Sequence, residues 1–150
     1  MTADRLSGCC HWFAGARHRG RMHYRTTIVW QKALQLAEMG CRLASILPTS
    51  ERFTLRPQIT RSATSVLCNI AEGWARESRR EKAQFLSIAQ GSLAELESQI
   101  ALCVQLGWLP TDSVDEFAST ADHVGRILTK LRRRFRKPLR STSDFRSTSS

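Results

Sequence analysis

The absences in this 150-residue chain narrow its class first. No apolar run approaches the roughly 20 residues that a bilayer-spanning helix needs. Near the N-terminus only Trp12-Phe13-Ala14-Gly15-Ala16 is apolar, shorter than the apolar core of about 7–15 residues in a secretory signal. The sequence therefore reads as cytoplasmic, with no membrane partner. Cysteine is scarce, and its count of five is odd. Cys41, Cys68 and Cys103 fall within apolar helical patterns, where cysteine behaves as a small hydrophobe, and this argues for reduced thiols rather than a disulfide framework. Cys9, Cys10 and His11 lie together but lack the paired spacing of a zinc site. No Glu-x-x-His pair is present for a di-iron bundle, and no Gly-x-x-x-x-Gly-Lys loop for a nucleotide phosphate. No segment alternates as a strand does.

What the chain does have is an apolar fraction of 41%, enough for one domain with its own core. Lysine and arginine outnumber the acids 23 to 13, a net charge of +10. The excess lies at the ends. Residues 1–27 hold five arginines against Asp4, and residues 130–150 hold eight basic side chains against Asp144. The stretch between them is close to neutral. Basic ends of this kind suit a phosphate backbone.

Four helical patterns follow one another. The first runs from about Thr27 to Leu47, with Trp30, Ala33, Ala37, Cys41, Ala44 and Leu47 at steps of three and four; Pro48 ends it. The second runs from about Thr54 to Ser78. Thr54 is a candidate N-cap, and Pro57 is tolerated in the first turn. Its apolar face is Ile59, Ala63, Val66, Ile70 and Trp74. The third spans about Arg80 to Leu106, with Phe85, Ile88, Ala89, Ser92, Leu96, Ile100, Cys103 and Val104 as its stripe. Gly107 and Pro110 stop it. Thr111 or Asp112 can cap the fourth, which runs from about Ser113 to Arg136 with a seam of Val114, Phe117, Ala121, Val124, Leu128, Leu131 and Phe135. Its last turn is cationic, as the helix dipole favours. Long helices with short breaks predict an all-α, antiparallel up-down-up-down four-helix bundle over residues 24–137. Residues 1–23 read as a disordered basic arm and residues 138–150 as a disordered Ser/Thr/Arg tail.

One stretch resists a purely structural reading: Cys68-Asn69-Ile70-Ala71-Glu72-Gly73-Trp74-Ala75-Arg76. Arg61, Ser65, Asn69, Glu72 and Arg76 make a polar stripe along the second helix, opposite its apolar face. A helix with two useful faces has two sets of neighbours, the bundle core and a second surface. Arg61, Asn69, Glu72, Arg76 and Glu95 are expected to form a partly buried network between the second and third helices or between subunits, since buried charge must be paired. Gly73, Gly91 and Ser92 would let backbones approach closely. Glu72 and Glu95 could also share a metal or a proton, but pairing with Arg61 or Arg76 explains them better.

The segments "VWQKALQLA", "QITRSATSVLCNIAEGWARES", "FLSIAQGSLAELESQIALCVQLGWL" and "VGRILTKL" together resemble the four-helix-bundle family encoded in 23S rRNA intervening sequences. The motif is Asn-Ile-Ala-Glu-Gly at residues 69–73 with Arg76 after it and Gly-Ser-Leu-x-Glu at residues 91–95. The resemblance covers about residues 24–135. It extends, more distantly, to the accessory variability determinant proteins of diversity-generating retroelements, pentameric bundles that bind a reverse transcriptase and nucleic acid. It implies a ring-shaped homopentamer. Residues 1–21 have no counterpart in it, and Met22 stands just before its usual start, which implies either a start site upstream of the native one or a dispensable arm.

Nothing places Ser, His and Asp together as a catalytic constellation, and the histidines lie mostly in the basic arm. The chain therefore reads as non-enzymatic, with no cofactor and no metal site. It is expected to be an oligomeric scaffold that binds RNA, DNA or a nucleoprotein, such as a ribosomal component, through Lys130, Arg132, Arg133, Arg134, Arg136 and Lys137. No interleaved aromatics point to base stacking, so readout should be weakly sequence-specific. The alternative is a structural or adaptor ring that meets a protein partner, such as a reverse transcriptase, with its charge incidental.

Overall fold

The computed structural model describes residues 23–137. Four helices account for most of them: α1 (Ile28–Ser45), α2 (Leu55–Ala75), α3 (Arg79–Gln105) and α4 (Asp115–Arg136). Short 3-10 turns at Tyr24–Thr26, Thr49–Phe53 and Thr111–Ser113 precede α1, α2 and α4, and no strand occurs among the described residues. Each helix packs on its neighbour in sequence, and α4 closes back on α1. The result is the antiparallel four-helix bundle that the periodicity predicts. None of the described helices is long and apolar enough to cross a membrane. His23, assigned from sequence to the arm, caps the first 3-10 turn by accepting from the Arg25 N–H. The rest of the arm, with Cys9, Cys10 and His11, and the tail at 138–150 lie outside the described residues.

The helix ends follow local chemistry. Thr27 Oγ1 accepts from the Trp30 N–H at 3.4 Å and starts α1. Ser78 Oγ accepts from the Glu81 N–H at 3.1 Å and donates to the Glu81 carboxylate at 2.7 Å, so Ser78 belongs to the start of α3 rather than to α2. That hydrogen bond, more than the charges of Arg76 and Lys82, holds the Glu81 carboxyl below its usual range. The cap is therefore fully present above the ordinary carboxylate pKa and weakens as the pH falls through the lowered one. Gly107, at φ +73°, ends α3. Its N–H reaches the Val104 carbonyl at 2.9 Å, and the Trp108 N–H reaches that of Cys103 at 2.9 Å, the double bond of a Schellman cap. Two expected caps do not form. Thr54 occupies the N-cap of α2, but its hydroxyl donates to Glu51. Thr111 and Asp112 are drawn into a 3-10 turn, and α4 starts from Val114 without a side-chain cap.

Leu36, Ile59, Val66, Ile70, Leu86, Leu96, Val124 and Leu128 are fully buried at the centre. The expected stripe of α1 is buried at Ala33, Ala37 and Ala44, with Leu47 just beyond the helix, but the core face is wider and takes in Val29, Leu36, Gly40 and Leu43, so Trp30 and Cys41 sit at its edge, half-buried. On α3 the core takes Leu86, Ala89, Leu93, Leu96, Ile100 and Cys103, while Ile88 stays 45% exposed. Cys103 is a core hydrophobe, its thiol pKa raised chiefly by burial. Cys68 is exposed instead.

The expected buried charge network is not made within the chain. Arg61, Glu72, Arg76 and Glu95 are exposed. Arg76 reaches Glu72 at 4.0 Å along its own helix and lies 4.5 Å over the Phe85 ring. A largely neutral network joins α2 to α3 in its place. Ser62 Oγ donates to Gln99 Oε1 at 2.7 Å, and Gln99 Nε2 donates to Glu95 Oε1 at 3.1 Å. The Ser65 and Ser92 hydroxyls meet at 2.9 Å, and Asn69 Nδ2 donates to Ser65 Oγ at 3.1 Å and to the Ser65 carbonyl. Short polar side chains thus fill the α2–α3 seam, while the long charged ones keep their hydration, which costs less than burying them. Gly73 does serve close packing: an added Cβ would lie 3.1 Å from Phe85 Cβ. Gly91 does not, since no atom lies within 4 Å of where its Cβ would be.

Ser62→Ala leaves the buried Gln99 oxygen without its hydroxyl donor and is expected to cost about 1–3 kcal/mol. Thr64→Ala removes an exposed hydroxyl bonded only to its own helix and is expected to stay within about 0.5 kcal/mol. Urea denaturation compares the two; equal midpoints would show that the α2–α3 seam contributes nothing.

Candidate nucleic-acid interface

Antiparallel packing sends α1 and α3 out from the same end at which α2 and α4 finish. Residues 1–22 and 138–150 are joined to the bundle at that end, so both basic termini attach to one side of the molecule. The α2–α3 turn adds Arg76, Arg79, Arg80 and Lys82 there, against Glu72, Glu77 and Glu81. The opposite end carries Glu51, Asp112, Asp115 and Glu116, with Arg52 and Arg56 among them. The bundle is electrically polar along its axis.

Between the first turns of α3 and the last turns of α4 lies an open groove of about 660 Å³. Arg79, Arg80, Arg132, Arg136 and Lys137 line it together with Gln84, Ser87 and Phe135, and no carboxylate does. Two of its cations are tied down. Arg79 Nη2 donates to the carbonyls of Arg134 and, at 3.2 Å, of Lys137. These are carbonyls at the end of α4, which lack helical partners and favour a cation. The Arg79 guanidinium also sits 5.5 Å over the Phe135 ring, which Trp74 meets edge-on at 6.2 Å. Arg132 Nη1 donates to Gln90 Oε1, whose amide donates in turn to Thr129 Oγ1 at 3.1 Å. Arg80, Arg136 and Lys137 are exposed along the same groove.

The six cations expected from sequence therefore divide. Arg132, Arg136 and Lys137 share the groove. Lys130 and Arg133 line a second depression of about 420 Å³ of mixed sign, beside Glu97, Asp122 and Arg126. There Arg126 pairs with Asp122 at 3.1 Å, and burial, with Asp122 adding to it, raises the Glu97 carboxyl pKa. Arg134 lines neither; its carbonyl receives Arg79. Sequence reasoning missed Arg79 and Arg80, which fall within the near-neutral middle of the chain. The signal that finds them is an Arg-Arg pair opening a helix antiparallel to the polybasic one. Among the described residues no three metal-ligating side chains cluster.

The profile of the 23S rRNA-intervening sequence proteins matches residues 25–130. The match stops short of Arg132–Lys137. A crystal structure of a protein of unknown function from the S23 ribosomal protein family of Bacteroides thetaiotaomicron superposes with a TM-score of 0.66 at 23% identity, covering 75% of this chain and 99% of that one. At that identity the likeness speaks for the fold alone. No functionally curated protein matches the chain.

Arg79→Gln is expected to free the end of α4. Losing a charged hydrogen bond worth about 1.5–3 kcal/mol should speed amide exchange over residues 134–137 by roughly tenfold or more, with α1 unchanged. Arg79→Lys should recover only part of the protection, because an ammonium lacks the planar fork that spans two carbonyls. Exchange mass spectrometry reads this; a uniform change along the chain would assign Arg79 no local role.

Proposed function

We propose, from the premise that this chain belongs to the 23S rRNA-intervening sequence protein family, that it is a non-enzymatic, oligomeric scaffold whose basic end binds RNA or DNA, free or within a nucleoprotein such as a ribosomal component. The observation that carries this reading is the carboxylate-free groove of five cations at the end where both basic termini attach. Phosphate contacts of this kind position a nucleic acid without reading its sequence.

Assembly is supported by the outer face of α2 and α3. Ile88 and Leu102 are 45% and 47% exposed on one face of α3, Gly91 has open space above it on that face, and Arg61 and Cys68 are exposed on α2. A surface glycine in a 27-residue helix costs about 1 kcal/mol against alanine, and a second copy packed closely on it would offset that. The stoichiometry we propose is five, in a ring. The adaptor reading, with a reverse transcriptase or another protein as partner, has its own observation: Ile46, Phe53 and Leu106 are exposed at the acidic end.

A salt titration with labelled RNA and DNA separates the readings. Binding should weaken steeply with salt. The triple variant Arg132→Gln, Arg136→Gln, Lys137→Gln should lower the log–log slope by about 2–3, near 0.7–0.9 per lost phosphate contact. Absent binding, or a slope that the variant leaves unchanged, favours the adaptor. In sedimentation, Ile88→Glu should shift the assembled species towards monomer; a wild-type chain that is monomeric at micromolar concentration removes the ring.

A further inference from the structure

The cationic groove is concave as well as charged. Its walls are two helices in packing contact, whose axes lie about 8–10 Å apart in such pairs. We propose that it is a single-strand subsite: it takes an unpaired run of sugar–phosphate backbone, with Arg80, Arg136 and Lys137 on the phosphates and Phe135 beside a base. This rests on the nucleic-acid reading above and sharpens it.

Three features carry the assignment. The first is shape. A duplex admits a protein helix into its own major groove, about 12 Å wide; a slot between two touching helices reverses that relation and has no room for a duplex. A single strand fits, since about 660 Å³ is the scale of a site that encloses a small ligand. The second is chemistry. Single-strand sites pair a positive groove with aromatic contact, and this groove is lined by the part of Phe135 that Arg79, Trp74 and the core leave uncovered, together with Gln84 and Ser87, neutral side chains able to bond base edges or sugar hydroxyls. The third is rigidity. Arg79 holds the end of α4 against the start of α3, which sets Arg136 and Lys137 across from Arg80 before any ligand arrives. Arg133 and Arg134 lie outside this slot and are free to meet either form of nucleic acid.

The test uses the full chain with fluorescent 12-nucleotide RNA and DNA, each unpaired and as a blunt duplex. Ser87→Leu fills part of the groove without changing the charge or adding an aromatic surface for a base to stack on, and because Ser87 is exposed the fold should survive, as circular dichroism can check. Arg80→Gln is a second groove variant, and Arg52→Gln, at the acidic end, controls for net charge. Unpaired RNA or DNA should bind about tenfold or more tighter than the duplex. Ser87→Leu and Arg80→Gln should each cut single-strand affinity by about tenfold and leave duplex affinity within about twofold, while Arg52→Gln should leave both within about twofold. Equal binding of single strand and duplex, or groove variants that behave like Arg52→Gln, would overturn the subsite while leaving a diffuse nucleic-acid interface standing. No binding of either form would overturn both.

Discussion

The three-residue connection Arg76–Ser78 between α2 and α3 is the constraint on which the basic end depends. So short a link forces the two helices to turn back on one another, and four residues make the reversal hold. Gly73 lets Phe85 come close. Arg76 covers the Phe85 ring. Lys82 Nζ donates to the last α2 carbonyls, reaching that of Trp74 at 3.0 Å. Ser78 supplies the first hydrogen bond of α3. Because α3 starts here and nowhere else, Arg79 and Arg80 arrive beside the final turn of α4.

Five cations in one groove repel one another, and a fold left to stability alone would not gather them. The structure reduces the conflict with backbone and amide dipoles instead of counter-charges. The final carbonyls of α4 take up Arg79, and Gln90 takes up Arg132. The surplus positive potential is left pointing outwards, where an anionic polymer can use it. Mixed-sign pairing does occur one step along the same helix pair, at Glu97, Asp122 and Arg126, which makes the absence of a carboxylate from the upper groove a local property of this end.

Much of the fold was legible because the relevant interactions are short in sequence. Thr27 and Gly107 act within three or four residues of themselves, and the four helix spans follow from steps of three and four. The stripes were less secure. On α1, alanine, glycine and cysteine occupy neighbouring faces, and hydropathy alone does not say how wide the buried face is: two adjacent stripes turn inwards, and Trp30 and Cys41 fall at the edge. Between α2 and α3 a polar seam takes the place of the expected charge network for a different reason. Arg61, Asn69, Glu72 and Arg76 share one face of α2, but side-chain length decides which can stay in the seam: Asn69 bonds there through Ser65, whereas the charged arms reach past it to water. Gln99, placed on no stripe by its hydropathy, is the buried partner that Ser62 needs.

The sequence by itself determined that this chain is a bundle of four helices with a near-neutral body and basic ends, since periodicity, capping residues and charge are properties of local segments. The tertiary structure alone decided where those charges meet. Arg79 and Arg132 are 53 positions apart in the numbering and carry no mutual signal in it; only the antiparallel register of α3 and α4 makes them walls of one groove. The same register brings both basic termini to one end. A groove is a relation between two helices, and its width and sign are fixed by packing distance and by which turns lie side by side.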